Sequence, residues 1–339
     1  MFLRHAPGMV RFLARRLLSS LSMVVIVASA ALLLATASQG DYVATAGGIG
    51  ANQQRMARER VRLNLDRPPA VLYLSWLAGA VRLDFGTSLL YQRPVGVLVA
   101  QRAANSTLLA AAALIIAVGL GLPLGVFTGS RPTGLAPSIV RGASVLCLSV
   151  PPLIASILLL ALAAMTGIFP TGGMTSLASP ADGWSWWVRD LAWHVPVPAM
   201  AVGLPLAATL ERVQSQALAD ALAEPCMTAA LARGVSRRRL LWRHAWPLSA
   251  KPVTAVLGLI GGALLSGSFA VELVTAWPGL GRLTYDALGA RDIYLAAACA
   301  SAAAAFLAVG ILGSDLLLAI VDPRVTIAPP ARAAPSGTP

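Results

Sequence analysis

Residues 228–234 combine alanine-rich helix formers with a glycine, and a run of arginines follows them. Alanine and leucine favour helix, Gly234 has a backbone that can turn freely, and Ser236 can cap a second helix that begins at Arg237. Four arginines between residues 237 and 243 make this second helix too basic for hydrocarbon. The pattern predicts an exposed helix–turn–helix element that either docks on another polypeptide or lies on anionic lipid.

No other group of residues suggests chemistry. The three histidines and three cysteines are far apart, so neither a catalytic cluster nor a metal site is expected. A Gly-x-x-x-x-Gly-Lys-Ser/Thr phosphate loop does not occur, so the chain should not hydrolyse ATP by that chemistry. We therefore expect neither an enzyme nor a cofactor on this chain. The residues concerned are His5, His194, His244, Cys147, Cys226 and Cys299.

The composition indicates an all-α polytopic membrane protein. Hydrophobic residues make up 57% of the 339 residues and charged residues only 12%, whereas soluble domains carry about 25% charged residues. The net charge is +12, but the basic residues are scattered and form no face interleaved with aromatic residues. Arginines beside membrane spans set topology, so nucleic acid is not an expected partner and membrane lipid is.

Six apolar segments approach the roughly 20 residues that a helix needs to cross a bilayer. Three prolines, Pro196, Pro198 and Pro205, interrupt the fourth segment, which neighbouring helices in a membrane protein can tolerate. The first segment is long for a signal peptide and is expected to remain as a span. The predicted spans are residues 17–37, 108–128, 143–166, 195–210, 253–271 and 294–321.

Charges in the short connections predict the orientation. Residues 1–16 carry four arginines and no acid, and residues 211–251 carry seven bases and three acids. By the positive-inside rule both termini are cytoplasmic. The predicted organisation is a first span within residues 1–37, an extracytoplasmic helical segment at 38–107, a five-span core at 108–321 and a disordered cytoplasmic tail at 322–339.

The segment 38–107 is expected to form a small amphipathic helical cap on the outer membrane surface. Apolar residues recur at helical spacing within residues 71–83, and residues 84–88 have the composition of a turn. The cap can serve packing or contact an extracytoplasmic receptor.

Three acids lie at or inside the ends of spans, where an ionisable group suggests function by default. Glu211 adjoins Arg212, which suggests a solvated position at the inner interface. Asp315 is expected to pair with a base from a neighbouring helix. Glu272 precedes a loop that contains Trp277, Pro278, Gly279 and Gly281, and it either orders that loop or lines an outer gate.

Glycines are frequent in the second and fifth predicted spans. Small residues let helices approach closely, so these positions indicate either static packing or a sliding surface. They are Gly119, Gly121, Gly125, Gly258, Gly261, Gly262 and Gly267.

Motifs along nearly the whole chain resemble the permease subunits of ABC importers of the dipeptide, oligopeptide and nickel branch. That family has a Glu-Ala-Ala-x-x-x-Gly signature in a cytoplasmic loop; here Ala229, Ala230 and Gly234 match it and Thr228 replaces the glutamate. Further matches are residues 65–68, 73–77, 84–88, 93–95, 105–108, 121–126, 149–152, 277–283 and 322–325.

The resemblance implies a type I ABC importer permease fold in a bacterial cytoplasmic (inner) membrane, working by alternating access. Its expected partners are a second homologous permease subunit, two ATPase subunits that bind ATP and Mg²⁺, and an extracytoplasmic substrate-binding protein. The loop at about 211–251 would supply a coupling helix that inserts into a groove of an ATPase subunit. The residues assigned to this role are Thr228, Ala229, Ala230, Gly234, Val235, Ser236 and Arg239.

Peptides are the expected cargo. Nickel, a metal chelate or an oligosaccharide stays open, because the branch uses one architecture for several cargos. An ion-coupled secondary transporter would need acids near the midplane or inverted repeats, and neither is evident in the sequence. A polytopic membrane enzyme would need a convergent catalytic cluster, which the sequence lacks.

Overall fold

The structure is a computed structural model that describes residues 6–37, 40–47, 52–63, 65–176 and 183–321. These residues form helices and connections, with one isolated β-bridge between Thr87 and Pro94. The expected disorder of the tail concerns residues outside this range. The helices are α1 (Ala6–Ala37), α2 (Tyr42–Gly47), α3 (Gln53–Arg62), α4 (Pro69–Val81), α5 (Val95–Ser130), α6 (Leu135–Ser149), α7 (Pro152–Thr166), α8 (Gly183–His194), α9 (Pro196–Ala223), α10 (Pro225–Ala232), α11 (Arg237–Leu240), α12 (Trp246–Val274), α13 (Leu280–Gly289) and α14 (Ile293–Val321).

Three helices contain apolar stretches long enough to cross a membrane: Ala14–Ala37 in α1, Val95–Ser130 in α5 and Ile293–Leu316 in α14. Three bent arrangements reach the same length and hydropathy. They are α6 with α7, α8 with α9, and the two parts of the helix from Arg237 to Val274, bent by 106°, 45° and 47°. The described residues therefore contain three spans by length and composition, or up to six if each bent pair counts as one.

The third predicted span, residues 143–166, is not a straight helix. α6 ends at Ser149, and Val150 adopts an extended conformation (φ −98°, ψ 113°) before α7 begins. Pro151 and Pro152 explain the break, because proline lacks an N–H and disfavours helical backbone in the residue before it.

The closest packing between spans is the glycine seam, in which Gly121, Gly125 and Gly129 of α5 face α9. A Cβ built at Gly121 would lie 2.5 Å from the carbonyl oxygen of Ala207, and one at Gly129 would lie 2.6 Å from that of Ser215. Glycine at every fourth position thus lets the two backbones touch. Because lipid is as apolar as leucine, such close contact rather than the hydrophobic effect holds membrane helices together.

α12 and α14 pack beside this pair. A Cβ built at Gly261 would lie 3.4 Å from the Cα of Gly310, so these helices also cross at glycines. A cluster of buried apolar side chains lies between α5, α9 and α12. It contains Ala113, Ala117, Ala201, Val202, Leu206, Leu210, Val253, Ile260, Leu264 and Val271.

The outer segment contains the helices α2, α3 and α4 and the start of α5, and its place on the membrane surface stays a prediction. α4 covers most of residues 71–83, and its Trp76 packs on Leu32 of α1 and Ile293 of α14. α3 ends at Arg62. Arg60 donates hydrogen bonds to Asp41, which ties α3 to the start of α2 and holds the pKa of Asp41 below its ordinary value.

Of the predictions for two acids inside the helical bundle, one is confirmed and one is wrong. Asp315 pairs with Arg16 of α1, with 3.0 Å between Oδ2 and Nε, which confirms the expected base from a neighbouring helix. The solvated position suggested for Glu211 is wrong, because its side chain is only 1% exposed. The reason is that α9 continues past Leu210 to Ala223 and turns Glu211 toward α5.

We expect Gly121→Ala to destabilise the protein by about 1–3 kcal/mol, the usual cost of overfilling a packed core. The added methyl group would meet the backbone of α9 at Ala207. Thermal unfolding of the purified protein in detergent measures the effect.

The matched control is Gly119→Ala on the same helix, where a built Cβ meets no atom within 4 Å. It should be neutral or slightly stabilising, since alanine favours helix over glycine. Equal melting temperatures of the two variants would contradict the close contact at the glycine seam.

Candidate functional site

The inner knob, residues 225–245, leaves the end of α9 and returns to the start of α12. α9 stops at Ala223, and α10 begins at Pro225 after one extended residue. α10 ends in a complete Schellman motif. The N–H of Gly234 donates to Leu231 O (2.9 Å) and the N–H of Val235 donates to Ala230 O (3.2 Å). Gly234 adopts φ +85°, a left-handed conformation that glycine reaches without strain.

The inner knob has a buried side that packs on its own chain. Met227 and Ala230 of α10, with Leu240 and Ala245 beyond the turn, contact α5 and the end of α9. Val235 is half-buried against the same cluster. Ala230 and Val235, two of the residues assigned to coupling, therefore anchor the knob inward. The rest of this cluster consists of Val126, Leu218 and Ala221.

The other side of the inner knob is exposed, and it carries the remaining residues assigned to coupling. Thr228, Ala229, Gly234, Ser236 and Arg239 all face solvent in this chain. A Cβ built at Gly234 would meet no atom within 4 Å. Ser236 stands at the N-cap of α11, but its hydroxyl makes no capping hydrogen bond. The surface is thus open and basic, and beside these small residues it exposes Leu231 and Trp242.

The inner knob is continuous with a span. A π-helical turn, Leu241–Ala245, joins α11 to α12 without a break in helical backbone. Single π turns inside helices are frequent at functional sites. The guanidinium of Arg237 also donates to Ser130 O at the end of α5 (3.3 Å). The knob is therefore connected to both α5 and α12.

At the opposite end of α12, Glu272 is fully buried and holds the outer loop. Its carboxylate accepts hydrogen bonds from Ser106 Oγ (2.7 Å), Gly281 N (2.6 Å) and Arg282 N (3.3 Å). The last two donors lie in the first turn of α13, where an anion is favoured by the free N–H groups and the helix dipole. These contacts are those of a residue that orders the loop, and a role of Glu272 at an outer gate stays a prediction.

Neighbouring loop residues extend this network. We call Asn105, Ser106, Glu272 and residues 277–282 together the outer clasp. Trp277 is fully buried and donates from Nε1 to Asn105 O, while Asn105 donates to Pro278 O. Glycine is required at two places. A Cβ at Gly279 would collide with the Glu272 carboxylate, and one at Gly281 would lie 2.7 Å from Phe269 Cα.

A second buried carboxylate at this end was missed from the sequence. Asp292 accepts from Leu295 N (3.2 Å) at the start of α14, and also from Ser88 Oγ (2.7 Å) and Leu90 N (3.1 Å) of the outer segment. An aspartate directly before an apolar run is a helix N-cap signal, and it could have revealed the first contact. The sequence around Asp292 gives no indication of its contacts with Ser88 and Leu90 of the outer segment.

Within the described ranges no three His, Cys, Asp or Glu side chains come together as a possible metal site. The sequence-predicted residues fall into two groups at opposite ends of α12, the inner knob and the outer clasp. Neither group has the composition of a catalytic centre. One has an exposed side, and the other fixes the connection between α12 and α13.

We expect Ser106→Ala to destabilise the protein by about 1–3 kcal/mol, because it leaves Glu272 Oε1 and the N–H of Leu280 without a partner. Thr107→Ala is the matched control, since Thr107 is exposed and bonds only within its own helix. Thermal unfolding in detergent compares the two. If Ser106→Ala and the control melt at the same temperature, the outer clasp does not contribute to the stability of the fold.

Comparison with known proteins agrees with this arrangement. Residues 121–327 match the model of the binding-protein-dependent transport system inner membrane component, and residues 9–90 match the model of the N-terminal part of that component. The chain is 30% identical over 319 residues to the oligopeptide transport system permease protein AppB of Bacillus subtilis, covering 94% of this chain and 99% of the relative. It is 30% identical over 285 residues to the glutathione transport system permease protein GsiC of Salmonella choleraesuis, covering 84% and 88%. The chain therefore belongs to the binding-protein-dependent transport system inner membrane component family, in the peptide and oligopeptide branch of ABC importer permeases.

Proposed function

We propose that this chain is one of two permease subunits that enclose a path for peptides, driven by ATP hydrolysis on separate subunits that dock on the inner knob. The observation that supports this most directly is the two-sided knob. Most of its apolar side chains are buried in its own chain, while its outward side carries small residues, arginines and the apolar Leu231 and Trp242, with open space around Gly234.

Docking on a protein explains this surface better than binding to lipid alone. A helix that lies in the membrane interface needs an apolar face free for the acyl chains. In the inner knob Met227, Ala230 and Leu240 use that face for internal packing, so that the large apolar side chains left for lipid are Leu231 and Trp242. The exposed small residues, Ala229 and Gly234, instead let another backbone come close.

The orientation of the termini is part of the proposal. The bond from Arg237 to Ser130 places the inner knob at the end of α5. Ser314 of α14 contacts Thr254 O near the start of α12, and Asp315 pairs with Arg16 of α1. The start of α1 and the end of α14 therefore share the side of the knob, which fits six spans with both termini in the cytoplasm.

The proposed mechanism is alternating access. Closure of the ATPase subunits would displace the inner knob, and the continuous helix through the π turn would pass that displacement to α12 and to the outer clasp. A substrate-binding protein would deliver cargo at the outer side. Peptides are proposed as cargo because relatives of nearly full length are described as oligopeptide and glutathione permeases.

Ala229→Tyr tests the docking surface. Ala229 is exposed, so a larger side chain leaves the fold of this chain intact but fills the space needed by a partner. We expect normal insertion in the membrane, at least tenfold lower peptide uptake, and loss of the ATPase subunits when the complex is purified by a tag on this chain.

Ala136→Tyr is the control, because Ala136 is exposed at the start of α6 outside the inner knob. Undiminished co-purification and uptake in Ala229→Tyr would show that nothing docks at this face. Mass spectrometry of the purified complex should identify a second permease and ATPase subunits. A lone chain that transports without any ATPase would overturn the proposal as a whole.

Gly234→Val tests the turn. A β-branched residue at φ +85° is strained by roughly 1–2 kcal/mol, so the Schellman turn should open and uptake should be lost while the protein still inserts. Gly234→Asn tolerates the left-handed conformation and should retain most of the uptake. Preserved uptake in Gly234→Val would exclude a coupling role for this turn.

A further inference from the structure

A cavity of about 490 Å³ with mostly apolar walls lies at the outer end of the protein, between α1, α13 and α14. Its volume is in the range of sites that bind small molecules. Along α14 the lining extends from Ile293 to Ala300, about 10 Å of helix at 1.5 Å per residue. That length is most of one hydrocarbon leaflet, about 15 Å. The other lining residues are Ala31, Leu34, Ala35, Thr284, Ala287, Leu288, Arg291, Asp292 and Ala296.

Three polar residues line this cavity, and two of them already have partners. Thr284 Oγ1 donates to Leu280 O (2.7 Å). The Asp292 carboxylate is held by the start of α14 and by the outer segment, as described above. Arg291 is exposed and makes no hydrogen bond or ion pair with any residue that the structure describes. The polar group left for a ligand is therefore a guanidinium.

Arg291 lies at the edge of the cavity, against the backbone of the outer segment. A Cβ built at Gly40 would lie 2.7 Å from Nη1 and 3.3 Å from Cζ of Arg291, so the guanidinium rests on the Gly40 backbone. The acid beside Gly40 does not neutralise it, because Asp41 is already paired with Arg60. A positive charge without a counter-ion thus stands beside an apolar space.

The surface around the cavity suits hydrocarbon. Leu34 of α1 and Leu288 of α13 line the cavity and are 72% and 58% exposed. The apolar stretch of α1, residues 14–37, has only a small buried share. Exposed leucines on a helix long enough to cross a membrane indicate contact with acyl chains rather than with water.

The combination of one free guanidinium and an apolar space selects an amphiphile. A small anion would leave the apolar wall uncovered, and an uncharged chain would leave Arg291 without a partner. A phospholipid satisfies both parts, since arginine pairs well with phosphate and basic pockets between spans bind lipid headgroups. A net negative headgroup fits better than a zwitterionic one, because the acid that lines the cavity is not free to pair with an ammonium group.

We infer that this cavity binds one anionic phospholipid, with its phosphate at Arg291 and an acyl chain along α14 toward Ala300. The site is separate from the inner knob and does not depend on the cargo or on the ATPase subunits. It includes Ala287 and Leu288 of α13, the helix whose first turn is held by Glu272. The lipid therefore supports the helix that follows the outer clasp.

The experiment uses the purified protein in detergent, with the subunits that accompany it, after bound lipid has been removed. Thermal unfolding is followed while phosphatidylglycerol, phosphatidylcholine or inorganic phosphate is added. Phosphatidylglycerol should raise the melting temperature at lower concentration than phosphatidylcholine, and inorganic phosphate should have no effect. Native mass spectrometry should detect one tightly held phosphatidylglycerol for each copy of this chain.

Arg291→Gln tests the charge. Arg291 has φ +58°, and glutamine is strained there to the same degree, so the variant changes the charge and not the backbone. The concentration of phosphatidylglycerol needed for stabilisation should rise about fivefold, the usual effect of one basic residue near anionic lipid. Arg291→Lys should keep most of the response. Arg93→Gln, at an exposed arginine before α5 that does not line the cavity, should respond like the wild type.

Ala300→Phe tests the apolar part of the site. Ala300 lines the cavity and is only partly buried, so a phenyl ring there would take the space of the acyl chain. This variant should weaken the response to both phospholipids while Arg291 stays in place. If it does not fold, the exposed variant Arg291→Gln still decides the question.

Four results would overturn the inference. The first is an equal response of the wild type to both phospholipids, and the second is an unchanged response to phosphatidylglycerol in Arg291→Gln. The third is stabilisation by inorganic phosphate that Arg291→Gln abolishes, which would make this a site for a free anion. The fourth is a normal lipid response in Arg291→Gln with loss of binding-protein attachment, which would assign the arginine to a protein contact. Peptide uptake tests the proposed function separately, because none of these results bears on the inner knob.

Discussion

Close backbone contact between α5 and α9 is the constraint on which the other features depend. The glycine seam runs along the inner half of α5 and brings the two helices within the reach of single polar side chains. At its inner end it places Thr128 against Glu211, and just beyond it Arg237 reaches Ser130. The same helix α5 supplies Asn105 and Ser106 to the outer clasp. One helix thus connects the inner knob with the outer clasp.

Buried carboxylates order the outer side in a common way. Glu272 accepts from the first turn of α13, and Asp292 accepts from the first turn of α14. In both cases the remaining contacts come from residues far away in the sequence, Ser106 and Ser88. Each acid therefore stabilises a helix start and a tertiary contact together. This explains how short outer connections can hold one arrangement without strands or disulfide bonds among the described residues.

The sequence predicted those parts of the structure that have local or periodic signals. The long apolar helices α1, α5 and α14, the outer helix α4 and the helix–glycine–helix of the inner knob agree with it. The sequence predicted one span at residues 143–166 and not the bend of 106° between α6 and α7, because two prolines indicate a break in a helix but not its angle or direction. The burial of Glu211 was missed because a charge beside Arg212 suggests an interface, whereas its environment is set by glycines of another helix. The burial of Ala230 was likewise not predicted, because it depends on packing against distant residues that the nearby sequence does not reveal.

The π turn between α11 and α12 has a consequence for how the inner knob is aimed. A π turn holds one residue more than a regular helical turn, so it takes up an extra residue with little rotation of the helices on its two sides. Removing one residue from Leu241–Ala245 would restore the regular repeat and leave the arginines of α11 facing nearly as they do now, whereas removing one from the regular turns of α12 would rotate them by about 100° about the helix axis. Composition and charge would be almost unchanged in both cases, yet only the second would point a different face outward. The direction of the basic surface therefore tolerates a change of chain length at the π turn but not in the regular helix beside it.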